Sequence, residues 1–358
     1  MRHVNHGGCI CLLLCILLSF CAGIETIDGN GKIPALFTFG DSLVDPGNNN
    51  FIPTWVKANH APYGQDFMGD EQNGRFSNGK LATDFIASGL GVKETIPPFL
   101  DPNLHTQDLL TGVSFASAGT GYDNLTSALV NAIPMWKQVE LFKTYKARLE
   151  NMVGVENSSN IIEQAIFVAV AGSNDFLVNY LIVPNRRNQF TVQQYQEFLL
   201  KVCSNFIKEI YKLGVRKVGI AGLPPLGCVP GEKTLHGQSE LNGCIEEFNG
   251  ISSSYNQKLK EILQGLEARL PGIRLEYISI YDYLLDMITN PSLYGLEITD
   301  RGCCGTGLIE TGPTCNSKTP ITCTNTSTTI FWDAVHPTQA TYKIVADLVL
   351  RQHISKLL

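Results

Sequence analysis

Residues 33–43, IPALFTFGDSL, contain the strongest indication of the fold. The apolar run Ile33–Phe39 is short and ends at a glycine, a pattern typical of a buried β-strand. Gly40 lets the backbone turn sharply after this run, because glycine tolerates conformations that other residues avoid. The segment therefore predicts a strand whose carboxyl end presents the side chain of Ser42.

Four further short apolar runs alternate along the chain with longer amphipathic segments. The predicted strands after the first are Val113–Ala116, Ala165–Ala171, Lys217–Ala221 and Ile273–Ile278, and the predicted helices are Lys80–Leu90, Ile133–Leu149, Val192–Leu213, Ile245–Leu270 and Thr338–His353, the last with Pro337 in its first turn. Such alternation predicts an α/β fold with a mostly parallel sheet covered by helices on both faces. Five strands fit a flavodoxin-like order 2-1-3-4-5, which has a ligand crevice outside the carboxyl ends of strands 1 and 3.

Unusual polar or glycine residues follow strands 1, 2 and 3 of this predicted sheet. Ser42 follows the first, Gly119 lies in the glycine-rich stretch after the second, and Asn174 follows the third. A serine hydroxyl becomes a nucleophile when a base takes its proton, while an Asn amide and a glycine N–H can both donate to a developing oxyanion. Each residue also has a structural interpretation, as a cap, an Asx turn or a flexible turn. Gly74 is a second candidate donor, ranked lower because no strand precedes it.

The C-terminal stretch Asp333-Ala334-Val335-His336-Pro337 supplies the residue types that a nucleophilic serine requires. An imidazole is the usual base for a serine, and a carboxylate fixes its tautomer and stabilises its cation. The three-residue spacing lets Asp333 fold back towards His336. A surface loop with a helix cap and a two-ligand metal site are the alternatives, and no third metal ligand is evident.

Taken together, these residues resemble the GDSL esterase/lipase family, the plant branch of the SGNH hydrolases, from about residue 34 to about residue 350. The resemblance implies a three-layer α/β/α fold and carboxylester hydrolysis without a cofactor or metal. It assigns Ser42, Asp333 and His336 to the catalytic triad, and Ser42, Gly119 and Asn174 to the oxyanion hole. Three other stretches typical of the plant branch are also present, namely residues 47–50 (GNNN), 74–79 (GRFSNG) and 302–305 (GCCG). The chain lacks the G-x-S-x-G element of the α/β-hydrolase fold.

Three functions remain compatible with these residues. The first is a secreted serine esterase or lipase acting on a small-molecule or lipid-like ester. The second is an acyltransferase that uses the same triad with an acceptor alcohol in place of water. The third is a secreted binding glycoprotein on a retired hydrolase scaffold, which the intact set of candidate residues disfavours.

The N-terminus and the composition bear on localisation and partners. Residues 1–23 combine basic residues, a short apolar run and small residues, which predicts a signal peptide followed by a single domain over residues 24–358. No later run is long enough for a spanning helix, so we expect no membrane anchor. The net charge of −6 and the absence of a basic stripe argue against nucleic acid. We expect a secreted, extracellular monomer.

The cysteines and three sequons agree with secretion. Of the 11 cysteines, four lie in the predicted signal peptide, and most of the other seven should pair in an oxidising compartment. We predict a Cys228–Cys244 bond and leave Cys203 as the odd thiol. Cys303 and Cys304 should each bond Cys315 or Cys323, in an order that the sequence leaves open. Glycosylation sequons begin at Asn124, Asn157 and Asn325.

Overall fold

Among the described residues, four parallel strands form the central sheet, in an order along the sheet that matches their order along the chain. They are β1 (Leu36–Gly40), β2 (Ile166–Val170), β3 (Lys217–Ala221) and β4 (Arg274–Ile278). A separate two-stranded parallel sheet contains β5 (Ile298–Gly302) and β6 (Thr329–Phe331). The structure is a computed structural model that describes residues 33–237 and 243–358. The predicted signal peptide over residues 1–23 lies outside the described residues.

Helices connect the strands. They are α1 (Ala82–Gly89), α2 (Asp108–Thr111), α3 (Asn124–Val130), α4 (Met135–Val153), α5 (Val155–Gln164), α6 (Ser173–Phe176), α7 (Val192–Lys212), α8 (Pro230–Leu235), α9 (Glu246–Glu267), α10 (Ile280–Thr289), α11 (Gln339–Val349) and α12 (Ser355–Leu357). Two π-helical segments follow α6 and α11, at Leu177–Ile182 and Leu350–Ile354. Among the described residues, no helix is long and apolar enough to cross a membrane.

The sheet has two apolar faces because alternate side chains of each strand point to opposite sides. Phe37 and Phe39 of β1 belong to one core with residues of α4, α7 and α9. Leu36 of β1 and Val168 of β2 belong to a second core with residues of α1, α10 and α11. All five residues of β1 and of β2 are buried. The α/β prediction with helices on both faces is therefore confirmed.

The predicted second strand, Val113–Ala116, does not form a continuous strand. Residues 113–117 run parallel to β1 on its outer edge, in the position that the order 2-1-3-4-5 requires. Phe115 N–H donates to Thr38 O (2.8 Å) and Ser117 N–H donates to Gly40 O (2.9 Å), but among the described residues the pairing with β1 amounts to one isolated bridge, between Thr38 and Ser114. Ser114 forms a second bridge with Pro98 on its other side, through Ser114 N–H to Pro97 O and Phe99 N–H to Ser114 O. Pro97 has no N–H with which to continue this second pairing.

Most predicted helices differ from the observed ones only at their ends. The start of the closing helix is the most informative of these differences, because Pro337 lies outside the helix. Thr338 is the N-cap of α11, and its side chain accepts from the N–H of Thr341. A capping hydroxyl satisfies an N–H that has no partner in the first turn, so the helix begins one residue later than predicted.

Three disulfides are present in the part of the chain that the structure describes. They join Cys228 to Cys244, Cys303 to Cys323, and Cys304 to Cys315. The first was predicted, and the other two settle the order that the sequence left open. Cys203 is free and buried, as predicted.

Candidate active site

A tight turn after β1 presents Ser42 at the carboxyl edge of the sheet. Gly40 has φ +133°, and a Cβ there would lie 1.8 Å from the carbonyl oxygen of Val170, so only glycine fits. The amide of Gln138 holds this glycine from the other side: Gly40 N–H donates to Gln138 Oε1 (2.8 Å), and Gln138 Nε2 donates to Gly40 O (2.9 Å). The turn that presents Ser42 is thus held by hydrogen bonds to the backbone of Gly40. No pattern in the sequence indicates that Gln138 makes them.

Ser42, His336 and Asp333 form a continuous hydrogen-bonded row. His336 Nε2 lies 2.8 Å from Ser42 Oγ, and His336 Nδ1 lies 2.8 Å from Asp333 Oδ2. All three side chains are buried. The structure therefore brings together the three residues predicted from opposite ends of the chain, in an arrangement that lets the imidazole accept the serine proton.

Asp333 is held by more donors than the sequence suggested. Its Oδ1 accepts from the backbone N–H groups of Val335 (2.8 Å) and His336 (2.7 Å). Its Oδ2 accepts from the hydroxyls of Tyr63 (2.6 Å) and Thr311 (3.0 Å). Tyr63 and Thr311 come from distant loops, and no sequence pattern links them to Asp333. The carboxylate is thereby oriented from both sides.

The same contacts decide the ionisation of Asp333. Burial by itself would raise the pKa of this carboxyl. The charge and hydrogen bond of His336, together with the Tyr63 hydroxyl and the backbone donors, outweigh burial and hold the pKa of Asp333 below its usual range. The residue is therefore an anion throughout the neutral range, as a partner for an imidazolium must be.

The candidate oxyanion donors besides Ser42 are Gly119, on a loop, and Asn174, in helix α6. The Asn174 amide donates to the carbonyl of Thr120 at 2.9 Å, which joins α6 to the loop that contains Gly119. Among the described residues, neither the N–H of Ser42 nor that of Gly119 donates to a protein group. Gly119 has φ +87°, a conformation that favours glycine. These N–H groups are thus available to an incoming oxygen atom.

A buried carboxylate next to Asn174 fixes the same loop. Asp175 accepts from the N–H groups of Tyr122 (2.7 Å) and Asp123 (3.1 Å) and from the hydroxyl of Thr126. Burial raises the pKa of Asp175 to about 7 against the opposing effect of these donors. Asp175 therefore positions the loop, a role that no pattern in the sequence indicates.

Gly74, the lower-ranked oxyanion candidate, has a packing role. A Cβ at Gly74 would lie 2.7 Å from the Cα of Gly47, so the two glycines allow their loops to approach closely. The next residue, Arg75, forms a buried two-point ion pair with Asp84, with N–O distances of 2.8 and 2.9 Å. Phe76 then packs its ring 4.8 Å from the ring of His336.

The three predicted glycosylation sites lie at the surface. Asn124, Asn157 and Asn325 are all exposed. The hydroxyl of Thr126, in the first sequon, is committed to Asp175. Within residues 33–237 and 243–358, no group of His, Cys, Asp and Glu side chains is arranged to hold a metal ion.

Comparison with known proteins gives the family. A family model described as GDSL-like Lipase/Acylhydrolase matches residues 36–349. The chain belongs to this family. GDSL esterase/lipase At2g42990 of Arabidopsis thaliana is 44% identical over 335 residues, 94% of each chain. GDSL esterase/lipase At2g31540 of the same plant is 47% identical over 335 residues, 93% of each chain. A solved lipase from a goat rumen metagenome matches at a TM-score of 0.42 and 13% identity, over 91% of this chain and 100% of that one.

The GNNN stretch of this GDSL family member is a scaffold for the site. Asn48 Nδ2 donates to the carbonyls of Ser114 (3.0 Å) and Ala116 (2.8 Å), and Asn49 Nδ2 donates to the carbonyl of Ala118 (3.0 Å). Asp45, just before this stretch, accepts from the N–H of Ala118 at 3.0 Å. These bonds hold the segment that precedes Gly119 against the loop that follows Ser42.

Proposed function

We propose that this chain is a serine carboxylester hydrolase in which Ser42 attacks the ester carbonyl and His336 acts as the base. The observation that carries the proposal is the unbroken row of short contacts from Ser42 Oγ through His336 to Asp333. The family supports the same reaction class, because the related Arabidopsis chains are named esterase/lipases. No step needs a cofactor.

The proposed reaction has two halves. His336 Nε2 takes the Ser42 proton as the hydroxyl oxygen bonds to the carbonyl carbon, and Asp333 stabilises the imidazolium. The N–H groups of Ser42 and Gly119 and the side chain of Asn174 hold the oxyanion. His336 then protonates the leaving alcohol, and the acyl group stays on Ser42. Water, deprotonated by His336, releases the acid and restores the serine.

The experiment for this proposal is labelling with a fluorophosphonate probe, which reacts with activated serines. Wild type, Ser42→Ala and Ser127→Ala are compared. Ser127 is a matched control because it is buried and its hydroxyl has no partner among the described residues. We expect labelling of wild type and of the control, and none of Ser42→Ala. A folded wild type without label would contradict the proposed triad and favour a binding role.

The role of Asn174 has its own test. Loss of one oxyanion donor typically lowers turnover by about 10²–10³-fold. We expect this loss in kcat for Asn174→Ala, with a circular dichroism spectrum like that of wild type. Near-normal kcat would remove Asn174 from the proposed oxyanion hole.

We also propose that the chain is a secreted, glycosylated monomer. The three disulfides support an oxidising compartment, and the exposed asparagines of the three sequons are accessible to modification. Expression in a secreting host, with mass measurement before and after N-glycosidase, tests both points. Light scattering after gel filtration measures the molar mass and so tests whether the chain is a monomer.

A further inference from the structure

The exposed Phe and Trp side chains of the described residues are confined to two segments of the chain. Phe51 and Trp55 lie on the segment after β1, where Trp55 is 63% exposed, and Trp136 is 57% exposed in the first turn of α4. Every other Phe and Trp that the structure describes is buried or partly buried. Leu129, near the end of α3, is a fourth exposed apolar side chain on these segments. We call these four residues the apolar patch.

Hydrogen bonds join the two segments that carry the apolar patch. The hydroxyl of Thr54 donates to the carbonyl of Val130 at 2.6 Å, and Asn131 Nδ2 donates to the carbonyl of Pro53 at 2.7 Å. The patch residues that adjoin these four in sequence are therefore brought to the same part of the surface. A cluster of exposed apolar side chains of this kind is typical of a binding surface.

The same segments support the proposed oxyanion hole. Asn49 Nδ2 donates to the carbonyls of Val56 (2.8 Å) and Ala118 (3.0 Å), which ties the first segment to the residue before Gly119. The side chain of Val130 packs so close to Gly119 that a Cβ on this glycine would lie 2.6 Å from Val130 Cγ2. The apolar patch is therefore carried by the segments that hold a proposed oxyanion donor in place.

The fixed charges around the apolar patch have one sign. Residues 46–65 and 124–139 contain no Asp or Glu, and their only Lys or Arg side chains are Lys57 and Lys137, although the whole chain has a net charge of −6. Among the described residues, no carboxylate forms an ion pair with either lysine. Two copies of this surface facing each other would bring lysines together, so charge opposes a second copy of the chain as the partner.

We propose that the apolar patch docks this protein reversibly on an anionic lipid surface. Trp side chains favour the boundary between water and lipid, because their rings are apolar and their N–H stays close to water. Lysines near such a surface are attracted by anionic headgroups. Peripheral binding strengthens with the apolar area that is buried and with this attraction together. Docking of this kind requires no helix that spans the bilayer.

The test is flotation of the protein with lipid vesicles through a density gradient. It uses Ser42→Ala, so that the proposed reaction plays no part, with vesicles of phosphatidylcholine alone or mixed with the anionic phosphatidylglycerol. We expect tighter binding to the mixed vesicles, and this binding should weaken as salt is added because salt screens surface charges. Lys137→Gln in the same background should lower the affinity for the mixed vesicles about fivefold.

Variants of the apolar patch should weaken binding further. Trp55→Ala and Trp136→Ala should each lower the partition coefficient at least tenfold, since burial of a large apolar side chain contributes more than one tenfold step. The matched comparison is Leu129→Ala against Leu293→Ala, because both remove the same atoms from an exposed leucine and Leu293, 76% exposed, lies outside the patch. Only Leu129→Ala should weaken binding.

Tryptophan fluorescence gives a second, independent readout. The chain has three tryptophans, and the emission of Trp55 and Trp136 should shift to shorter wavelength when their rings leave water. The third, Trp332, is fully buried and should not respond to vesicles. The shift should therefore disappear in the Trp55→Ala, Trp136→Ala double variant.

Three results would overturn the proposal. The first is no binding to the mixed vesicles, or equal binding to both kinds. The second is binding that the tryptophan variants and Leu129→Ala leave unchanged. The third is a dimer in lipid-free solution that the tryptophan variants dissociate, measured by light scattering, which would assign the patch to a second copy of the chain. A wild type that binds vesicles but hydrolyses no ester would reject the proposed reaction and support the docking surface.

Discussion

Replacing Tyr63 by phenylalanine tests how the structure holds the candidate acid. Tyr63 is fully buried, and its hydroxyl donates to Asp333 Oδ2 at 2.6 Å while accepting from the N–H of Gly312 at 2.7 Å. Tyr63→Phe keeps the ring and its packing but removes this hydroxyl. Two buried groups then lose a partner: the carboxylate of Asp333 and the backbone N–H of Gly312.

The expected magnitude follows from those two losses. A hydrogen bond to a charged group contributes about 1.5–3 kcal/mol, and a buried N–H left without an acceptor costs about 1–3 kcal/mol. We expect the free energy of unfolding to fall by about 3 kcal/mol. Asp333 keeps Thr311 and two backbone donors, so the imidazole should stay aligned. The expected loss in kcat is therefore about tenfold, or about 1.4 kcal/mol of barrier.

The assay combines urea denaturation with ester hydrolysis at saturating substrate. Tyr255→Phe is the matched control, because Tyr255 is also fully buried but its hydroxyl has no hydrogen-bond partner among the described residues. It should leave the stability almost unchanged. Asp333→Asn is the reference for loss of the acid itself, which in serine proteases lowers kcat about 10⁴-fold.

Two results would refute this reasoning. If Tyr63→Phe were as stable and as active as wild type, the hydroxyl would not support Asp333. If a folded Tyr63→Phe were as inactive as Asp333→Asn, Tyr63 would have a direct part in the chemistry, beyond the positioning described above.

Three further predictions concern buried polar groups near the site. Gln138→Leu removes both hydrogen bonds to Gly40 and should lower the unfolding free energy by about 2–3 kcal/mol, with a matching loss of kcat measured by ester hydrolysis. Burial raises the pKa of Asp41 from 3.8 to about 7. The protonated carboxyl of Asp41 therefore contributes its full stabilisation to the folded state below about pH 4, and this contribution is lost as the pH rises to about 7. Urea denaturation of Asp41→Asn should therefore show a stability gain over wild type that grows across this range, by up to roughly 4 kcal/mol; a constant difference would contradict it. Arg75→Met leaves Asp84 buried without its cation and should cost about 3–5 kcal/mol in thermal or urea unfolding, and the double variant with Asp84→Leu should recover part of this loss.

The sequence predicted the class of fold because each strand carries a local signal. The strands at residues 166–170 and 217–221 are compact apolar runs that lie between glycines, helices and turns, and each was predicted within one residue of its observed ends. The predicted second strand was less well predicted, because its pairing depends on residues from other parts of the chain. The bridge between Ser114 and Pro98 joins residues whose contact no local pattern indicates.

The candidate site likewise contains some residues that the sequence indicates and others that only the structure identifies. Ser42, Asn174 and His336 could be named because they follow predicted strands or precede the closing helix, and because their combination resembles a known family. Tyr63 and Gln138 could not be named, because their contribution comes entirely from tertiary contacts. Tyr63 lies 270 residues from Asp333 along the chain, and Gln138 lies 98 residues from Gly40.

The distance along the chain between Ser42 and His336 has a consequence for biosynthesis. These residues are 294 positions apart, yet their side chains are in contact. A ribosome-bound chain that already contains β1 to β4 has a nearly complete sheet but still lacks the proposed base, His336, and the proposed acid, Asp333. The enzyme should thus be inert throughout translation, and hydrolysis should begin only when the loop at 333–336 docks.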